Sequence, residues 1–286
     1  MARQKILLIG ANGQVGHALQ TALAPLGELV CLTRAQLDLA TLPASDAVPE
    51  ALLEQVQSCH PTVIVNASAY TAVDRAESEP QLADLLNARV PGWLATLANQ
   101  LGACLVHYST DYVFDGTKPC PYVESDPTHP QSVYGRTKLQ GEQAVALACP
   151  RHLIFRTSWV LSAQGANFLK TMLKLGQERD ALTIVSDQVG APTSAELIAE
   201  VTAQVLTTIL KGPASAQDPR WGTYHLVASG ETNWFAYAQY VFKNARAQGW
   251  PLKVTTDAIK PIATADYPVA ARRPLNSRLD TTKLRQ

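Results

Sequence analysis

The 286-residue sequence has no excess of charge of either sign: 24 Lys+Arg stand against 24 Asp+Glu, for a formal net charge of zero. No basic run or stripe is present either, so the sequence reads against a nucleic-acid partner. Long hydrophobic runs are missing as well. The longest apolar stretches, residues 5–10 and 62–69, are strand-sized, far short of the roughly 18 residues a spanning helix needs. No membrane partner is expected. Cysteine is scarce: Cys31, Cys59, Cys104, Cys120 and Cys149 are odd in number and never spaced as CxxC, which argues against a disulfide framework and against a zinc cluster. They read as reduced thiols serving packing. The chain passes from Met1 into a strand-like run at Lys5 with no secretory pattern, so the expected location is the cytoplasm. With 47% hydrophobic and 17% charged residues, disorder is excluded and a sizeable core is expected. The length suits one or two domains.

The first half alternates strand and helix signals. Strand-like runs fall at residues 5–10, 28–33, 62–66, 103–109 and 152–157, with helical spacing at 14–26, 81–101 and 133–148. Strands of this length separated by helices predict an α/β fold, a doubly wound parallel sheet of the Rossmann type. Ligands of such sheets sit outside the carboxyl ends of the strands, which directs attention to the residues after Ile9, Thr33, Asn66, Ser109 and Thr157. Beyond about residue 160 the alternation weakens. Helical patterns occupy 167–177, 194–210 and 233–247, a surface loop is expected at 212–220, and a strand at 223–228. The expected division is a dinucleotide-binding domain over 1–160, with the strand near 223–229 returning to its sheet. A smaller, less regular substrate lobe is expected over 161–286, its last forty residues largely irregular.

Gly10-Ala-Asn-Gly13-Gln-Val-Gly16 follows a strand and opens a helix. Gly10 permits the tight turn, Gly13 lets backbone N–H groups approach a pyrophosphate, and Gly16 lets the helix pack closely. A glycine triplet alone is a weak signal, but its strand-turn-helix setting is the context the motif demands. A carboxylate at the end of the second strand would accept from the ribose of NAD, whereas an arginine would meet the extra phosphate of NADP. The sequence offers Thr33-Arg34 and no carboxylate before Asp38, which favours NADPH, with NADH the alternative. Arg34 otherwise reads as a surface charge, and Asp38-Leu39 could bracket the adenine.

Tyr134-Gly-Arg-Thr-Lys138 places Tyr and Lys one turn apart on one helix face. Ketone reduction needs a proton donor beside the carbonyl oxygen, and a tyrosine, with an ordinary pKa of about 10, serves near neutrality when a cation stands close. Lys138 can supply that cation and hydrogen-bond a ribose. The pair follows a strand ending in Ser109-Thr110-Asp111, where a hydroxyl can polarise the same carbonyl.

Gly10-x-x-Gly-Gln-x-Gly16, Ser109-Thr-Asp-Tyr-Val-Phe114 and Tyr134-x-x-x-Lys138 resemble the extended short-chain dehydrogenase/reductases. Within them, Asn66-Ala-Ser-Ala-Tyr-Thr-Ala-Val-Asp74, Ala76-Glu-Ser-Glu-Pro80, Phe155-Arg-Thr-Ser-Trp-Val160, Asp187-Gln-Val-Gly-Ala-Pro-Thr193 and Arg273-Pro-Leu-Asn-Ser277 resemble the dTDP-4-dehydrorhamnose reductase family. The resemblance runs over nearly the whole chain. It implies NADPH- or NADH-dependent reduction of the C4 ketone of dTDP-4-dehydro-L-rhamnose to dTDP-L-rhamnose. In that reading Tyr134 gives the proton, Lys138 lowers its pKa and holds the nicotinamide ribose, and Thr110 orients the carbonyl. Gly13, Gln14 and Val15 would cradle the pyrophosphate, and Ala69, Tyr70 and Thr71 would border the nicotinamide. Asp111, Tyr112 and Trp159 would face the dTDP-sugar, and Arg273 would pair with its diphosphate or form a surface salt bridge. Family members usually continue into a further C-terminal helix that helps form a metal-linked homodimer in some of them. Glu196 matches one metal-ligand position, but the partner segment lies beyond Gln286, so magnesium at a dimer interface is not expected, while a homodimer stays open.

By residue type alone, Trp159 reads as core, Asp111 as a turn or helix cap, His107 as a packed core histidine and His17 as surface. Two other functions compete. A catalytically silent NADP-binding regulatory subunit or sensor of the same fold would have no chemical need for the Tyr–Lys pair. A dehydratase or epimerase of the same superfamily is the second; typical dehydratases carry Glu after the Asp, where this sequence has Tyr112.

Overall fold

The computed structural model describes residues 4–211 and 215–286. Residues 1–3 and part of the loop expected at 212–220, residues 212–214, lie outside them. Six parallel strands form the central sheet: β1 (Gln4–Ile9), β2 (Gly27–Leu32), β3 (Val63–Asn66), β4 (Cys104–Thr110), β5 (His152–Thr157) and β6 (Gly222–His225), in the order β6-β5-β4-β3-β1-β2. The expected doubly wound α/β fold is therefore what forms, and the late strand does pair with β5 in parallel.

The strands are apolar on both sides because helices cover both faces. Leu7 and Ile9 of β1, with Ile64, Leu105 and Ile154, pack on α2 (Glu50–Cys59), α3 (Val90–Leu101) and α4 (Val133–Ala148). Ile6 and Leu8, with Val63, Val65, Val106 and Phe155, face α1 (Gln14–Leu23) and α6 (Ala195–Leu210). The smaller lobe has its own core, in which α5 (Phe168–Glu178) and α7 (Trp234–Ala247) meet around Met172 and Phe242. A short parallel pair, Leu182–Val185 with Ile259–Ile262, gives order to a tail expected to be irregular.

Two expected helices are interrupted, both at prolines. Pro25 has no N–H to continue the ladder of the run at 14–26, so α1 stops at Leu23 and a 3₁₀ turn, Ala24–Leu26, follows. The run at 81–101 divides into Pro80–Asp84, a π-helical turn Leu85–Arg89, and α3. Pro91 cannot donate to the carbonyl of Asn87, four residues back. The wider turn accommodates this, and the freed carbonyl lies against Gly141 of α4, where a Cβ would stand 2.0 Å from it.

Candidate active site

The chain runs from β1 to β2 on one side of β1, then returns to β3 on the other. The crevice where strand order reverses opens at the ends of β1 and β3, which is where such folds bind ligands. Gly10 sits there with φ +79°, and a Cβ on it would come within 2.6 Å of Ser68 N; only glycine tolerates both. A Cβ on Gly16 would lie 2.0 Å from Gly10 O, so α1 is seated directly on the turn. Gly13 caps α1 without a side-chain hydrogen bond, leaving the donors of the first turn aimed at the crevice. The crevice encloses about 230 Å³ between Gly10–Gly13, the stretch Leu32–Leu39 and Ala67–Ala69. Shape and donor set fit an extended, phosphate-bearing ligand.

At the rim of this crevice Arg34 is exposed and pairs with Asp38 at 3.3 Å. Asp38 also caps the following 3₁₀ turn through Ala40 N, which keeps Leu39 buried. Thr33 is tied to Gln36, whose Oε1 accepts from both its N–H and its hydroxyl. The side chain of Gln14 accepts from Asn167 Nδ2 at 2.9 Å, linking the glycine turn to the smaller lobe. Val15, in the first turn of α1, packs against the core. On the far side Ala69-Tyr70-Thr71 is held by Asn87: Tyr70 N donates to Asn87 Oδ1 at 2.9 Å, and Asn87 Nδ2 donates to Tyr70 O and to Thr137 Oγ1. The Tyr70 hydroxyl donates to Glu79. Asn87 belongs to the π-turn and was not singled out by sequence reasoning. Its signal was Pro91, four residues on, which marks a ladder with one bond missing.

Ser132 caps α4 by accepting from Gly135 N, and this start sets Tyr134 against the end of β4. A Cβ on Gly135 would stand 2.3 Å from Tyr112 O, so the helix and the turn after β4 touch at backbone distance. The Tyr134 and Tyr112 rings meet edge to face at 5.4 Å. Burial pushes the Tyr134 hydroxyl up to about 12, the Thr110 hydroxyl opposes this, and the Asp111 charge adds to it. Lys138 stands one turn further along α4. Its Nζ donates to Tyr108 O at 2.6 Å and lies 3.3 Å from His107 Nε2, and burial lowers its pKa to about 8. Asp111 is buried, its pKa raised to about 6 by burial. The Thr110 hydroxyl lies 3.1 Å from its Oδ1, while Oδ2 has no partner. Ser109 Oγ, Thr157 Oγ1 and Ser158 Oγ are likewise buried without partners. Buried polar atoms are nearly always satisfied in folded proteins, so four orphans at the ends of β4 and β5 mark a place built to meet a polar ligand.

The remaining sequence candidates spread outward. Trp159 is half-buried with φ +47° and stacks on Trp234 at 3.5 Å between centroids. Arg273 grips Asp74 (2.7 and 3.2 Å) and lines a cavity of about 290 Å³ with Trp234 and Tyr267. Glu196 is exposed in the first turn of α6, and among the described residues no three His, Cys, Asp or Glu side chains gather around a common point. His107, read as a core histidine, is indeed fully buried.

The model of the RmlD substrate binding domain family matches residues 4–286. The dTDP-4-dehydrorhamnose reductase of Escherichia coli (strain K12) is 50% identical over 281 residues, covering 98% of this chain and 91% of that protein. The reductase of the same name from Shigella flexneri is 49% identical with the same coverage. Among solved structures, the Bacillus anthracis dTDP-4-dehydrorhamnose reductase in complex with NADP superposes with a TM-score of 0.84. It is 33% identical and covers 99% of this chain and 92% of that one.

Proposed function

This chain belongs to the dTDP-4-dehydrorhamnose reductase family, and we propose that its site reduces the C4 ketone of dTDP-4-dehydro-L-rhamnose to dTDP-L-rhamnose. The observation that carries the reading is the convergence of Tyr134, Thr110 and Lys138 beside the orphaned Ser109 and Asp111 oxygens, next to the glycine-turn crevice. The nicotinamide cofactor supplies the hydride when bound. The chain's own residues do the rest. Tyr134 gives its hydroxyl proton to the carbonyl oxygen, and the Thr110 hydroxyl holds that oxygen in place. Lys138 reaches the nicotinamide ribose, and its charge eases the loss of the tyrosine proton. Gly10, Gly13, Gln14, Val15 and Gly16 seat the pyrophosphate on the start of α1; Thr33, Arg34, Asp38 and Leu39 take the adenosine end, and Ala69, Tyr70 and Thr71 border the nicotinamide.

NADPH is the preferred cofactor in this proposal, NADH the weaker one, because exposed Arg34 stands at the rim where a 2′-phosphate would lie. The solved Bacillus anthracis relative was in complex with NADP. Asp111, Tyr112 and Trp159 meet the sugar, and Arg273, its guanidinium oriented by Asp74, meets the diphosphate. We assign residues 1–160 to the cofactor and 161–286 to the substrate lobe, with β6 and α6 contributed back to the sheet layers by the second part.

The test is a coupled assay that generates dTDP-4-dehydro-L-rhamnose in place and follows NADPH or NADH oxidation by absorbance, with Tyr134→Phe alongside. Oxidation that yields dTDP-L-rhamnose and collapses in the variant is the expected result. Tight NADPH binding without oxidation would overturn it in favour of a silent binding protein.

A further inference from the structure

Behind Lys138 a line of buried polar groups runs into the sheet. His107 Nε2 lies 3.3 Å from Lys138 Nζ, and His107 Nδ1 lies 3.2 Å from Asn66 Nδ2. Asn66 Oδ1 accepts from Ser68 N at 3.1 Å and from Ser68 Oγ at 2.6 Å. Asn66 and His107 are completely shielded from solvent, so the donor and acceptor roles along the line must match. A backbone N–H only donates, so Ser68 N fixes Oδ1 of Asn66 toward itself and turns Nδ2 toward His107. An amide nitrogen also only donates, so His107 Nδ1 accepts and carries no proton. Burial keeps the imidazole neutral, well below its ordinary pKa. Its single proton is therefore on Nε2, aimed at Lys138. An ammonium has three donors and no acceptor, so two donors would face each other across 3.3 Å. Only an amine with a free lone pair closes this contact, while its own N–H still donates to Tyr108 O.

We propose that Asn66 and His107 are positioning residues that favour the neutral amine of Lys138 over its ammonium, so that an unprotonated Lys138 takes a proton from water when a dinucleotide ribose offers it acceptors. The second clause rests on the function proposed above; the first does not. The other charges around Lys138 leave room for this control. Glu142, on the same helix, favours the ammonium, but its carboxylate is bound by Arg156 of β5 at 2.6 and 2.9 Å. Asp84 and Arg89 of the adjoining turn pair with each other at 2.8 Å. Asp111 and Tyr112, after β4, face Tyr134.

Two measurements separate the clauses. Nitrogen-15 NMR of the wild-type protein without added nucleotide should place the His107 proton on Nε2 at pH 9. The Lys138 amine should titrate near pH 8, rising by more than about one unit in His107→Gln, whose amide oxygen can accept from an ammonium. A proton on Nδ1 overturns the proposal, as does an unchanged Lys138 midpoint in a folded variant; if the variant does not fold, the wild-type tautomer alone decides. Calorimetry of NADPH binding at pH 9 in two buffers of different ionisation enthalpy should show uptake approaching one proton. The wild-type Kd should rise toward tenfold per pH unit above about 8, and this slope should flatten in His107→Gln. Normal binding with no proton uptake overturns the second clause. Failure of NADPH to bind at all breaks the proposed function and leaves the NMR result to judge Asn66 and His107.

Discussion

The two ends of the cleft are built in opposite ways. The glycine-turn end is shaped by atoms that are missing: a Cβ on Gly10 or Gly16 would strike backbone at 2.6 or 2.0 Å. The Tyr134 end is shaped by polar side chains that are present and buried, with Ser109, Asp111, Thr157 and Ser158 each leaving an oxygen without a partner. The contrast teaches how each end fails. One is damaged by adding a methyl group, the other by removing or neutralising a single polar atom, and the second kind of damage can leave the fold intact or even firmer.

The largest effect should come from the polar end. Tyr134→Phe removes one oxygen and is expected to lower kcat by about 10²–10⁴-fold, with thermal unfolding unchanged; a parallel fall in melting temperature would erase the contrast. Next comes the glycine end. Gly16→Ala should lose on the order of 2–3 kcal/mol in urea unfolding, since the backbone it meets must move. Gly13→Ala, whose Cβ would sit an ordinary 3.4 Å from Gly10 O, should stay within about 0.5 kcal/mol. Equal losses at the two positions would show that crowding does not set this end.

Asp111 supplies a test of opposite sign. Its folded pKa is raised to about 6 by burial, against about 3.9 unfolded, so the folded state holds the proton more tightly. Stability contributed by this group is present below about pH 4, falls as pH rises toward 6, and stays lost above. Asp111→Asn should therefore stabilise the protein at pH 7.5 by on the order of 2 kcal/mol and bring no such gain at pH 4, as read by thermal unfolding at both pH values, while activity drops. A smaller effect than that of Asp111→Asn is expected at the exposed rim: Arg34→Ala should raise the KM for NADPH about tenfold, roughly 1.4 kcal/mol, and leave that for NADH unchanged. Equal changes for both would reduce Arg34 to the surface partner of Asp38.

Legibility in the sequence followed the same division. The glycine turn could be read because its glycines lie within seven residues and answer to one local geometry, a strand turning into a helix. Tyr134 and Lys138 could be read because helical spacing sets them on one face. The environment of Lys138 could not. His107 looked like any core histidine, and Asn66 was one letter in a longer motif, because their contacts join residues 41 and 31 positions apart. Asn87 was hidden in a run that read as continuous helix, and only the π-turn before Pro91 sets its side chain between Tyr70 and Thr137.

By itself, then, the sequence determined what depends on neighbours along the chain: apolar strands alternating with helices, the glycine turn, the Tyr–Lys spacing and a family pattern spanning nearly the whole chain. The tertiary structure alone decided which polar groups share a buried space. It set Thr110 beside Tyr134, closed Arg273 onto Asp74, and lined Asn66, His107 and Lys138 up behind the crevice. The physical reason is that burial and hydrogen-bond partnership depend on distance in space, and parallel strands bring together residues that no local periodicity connects.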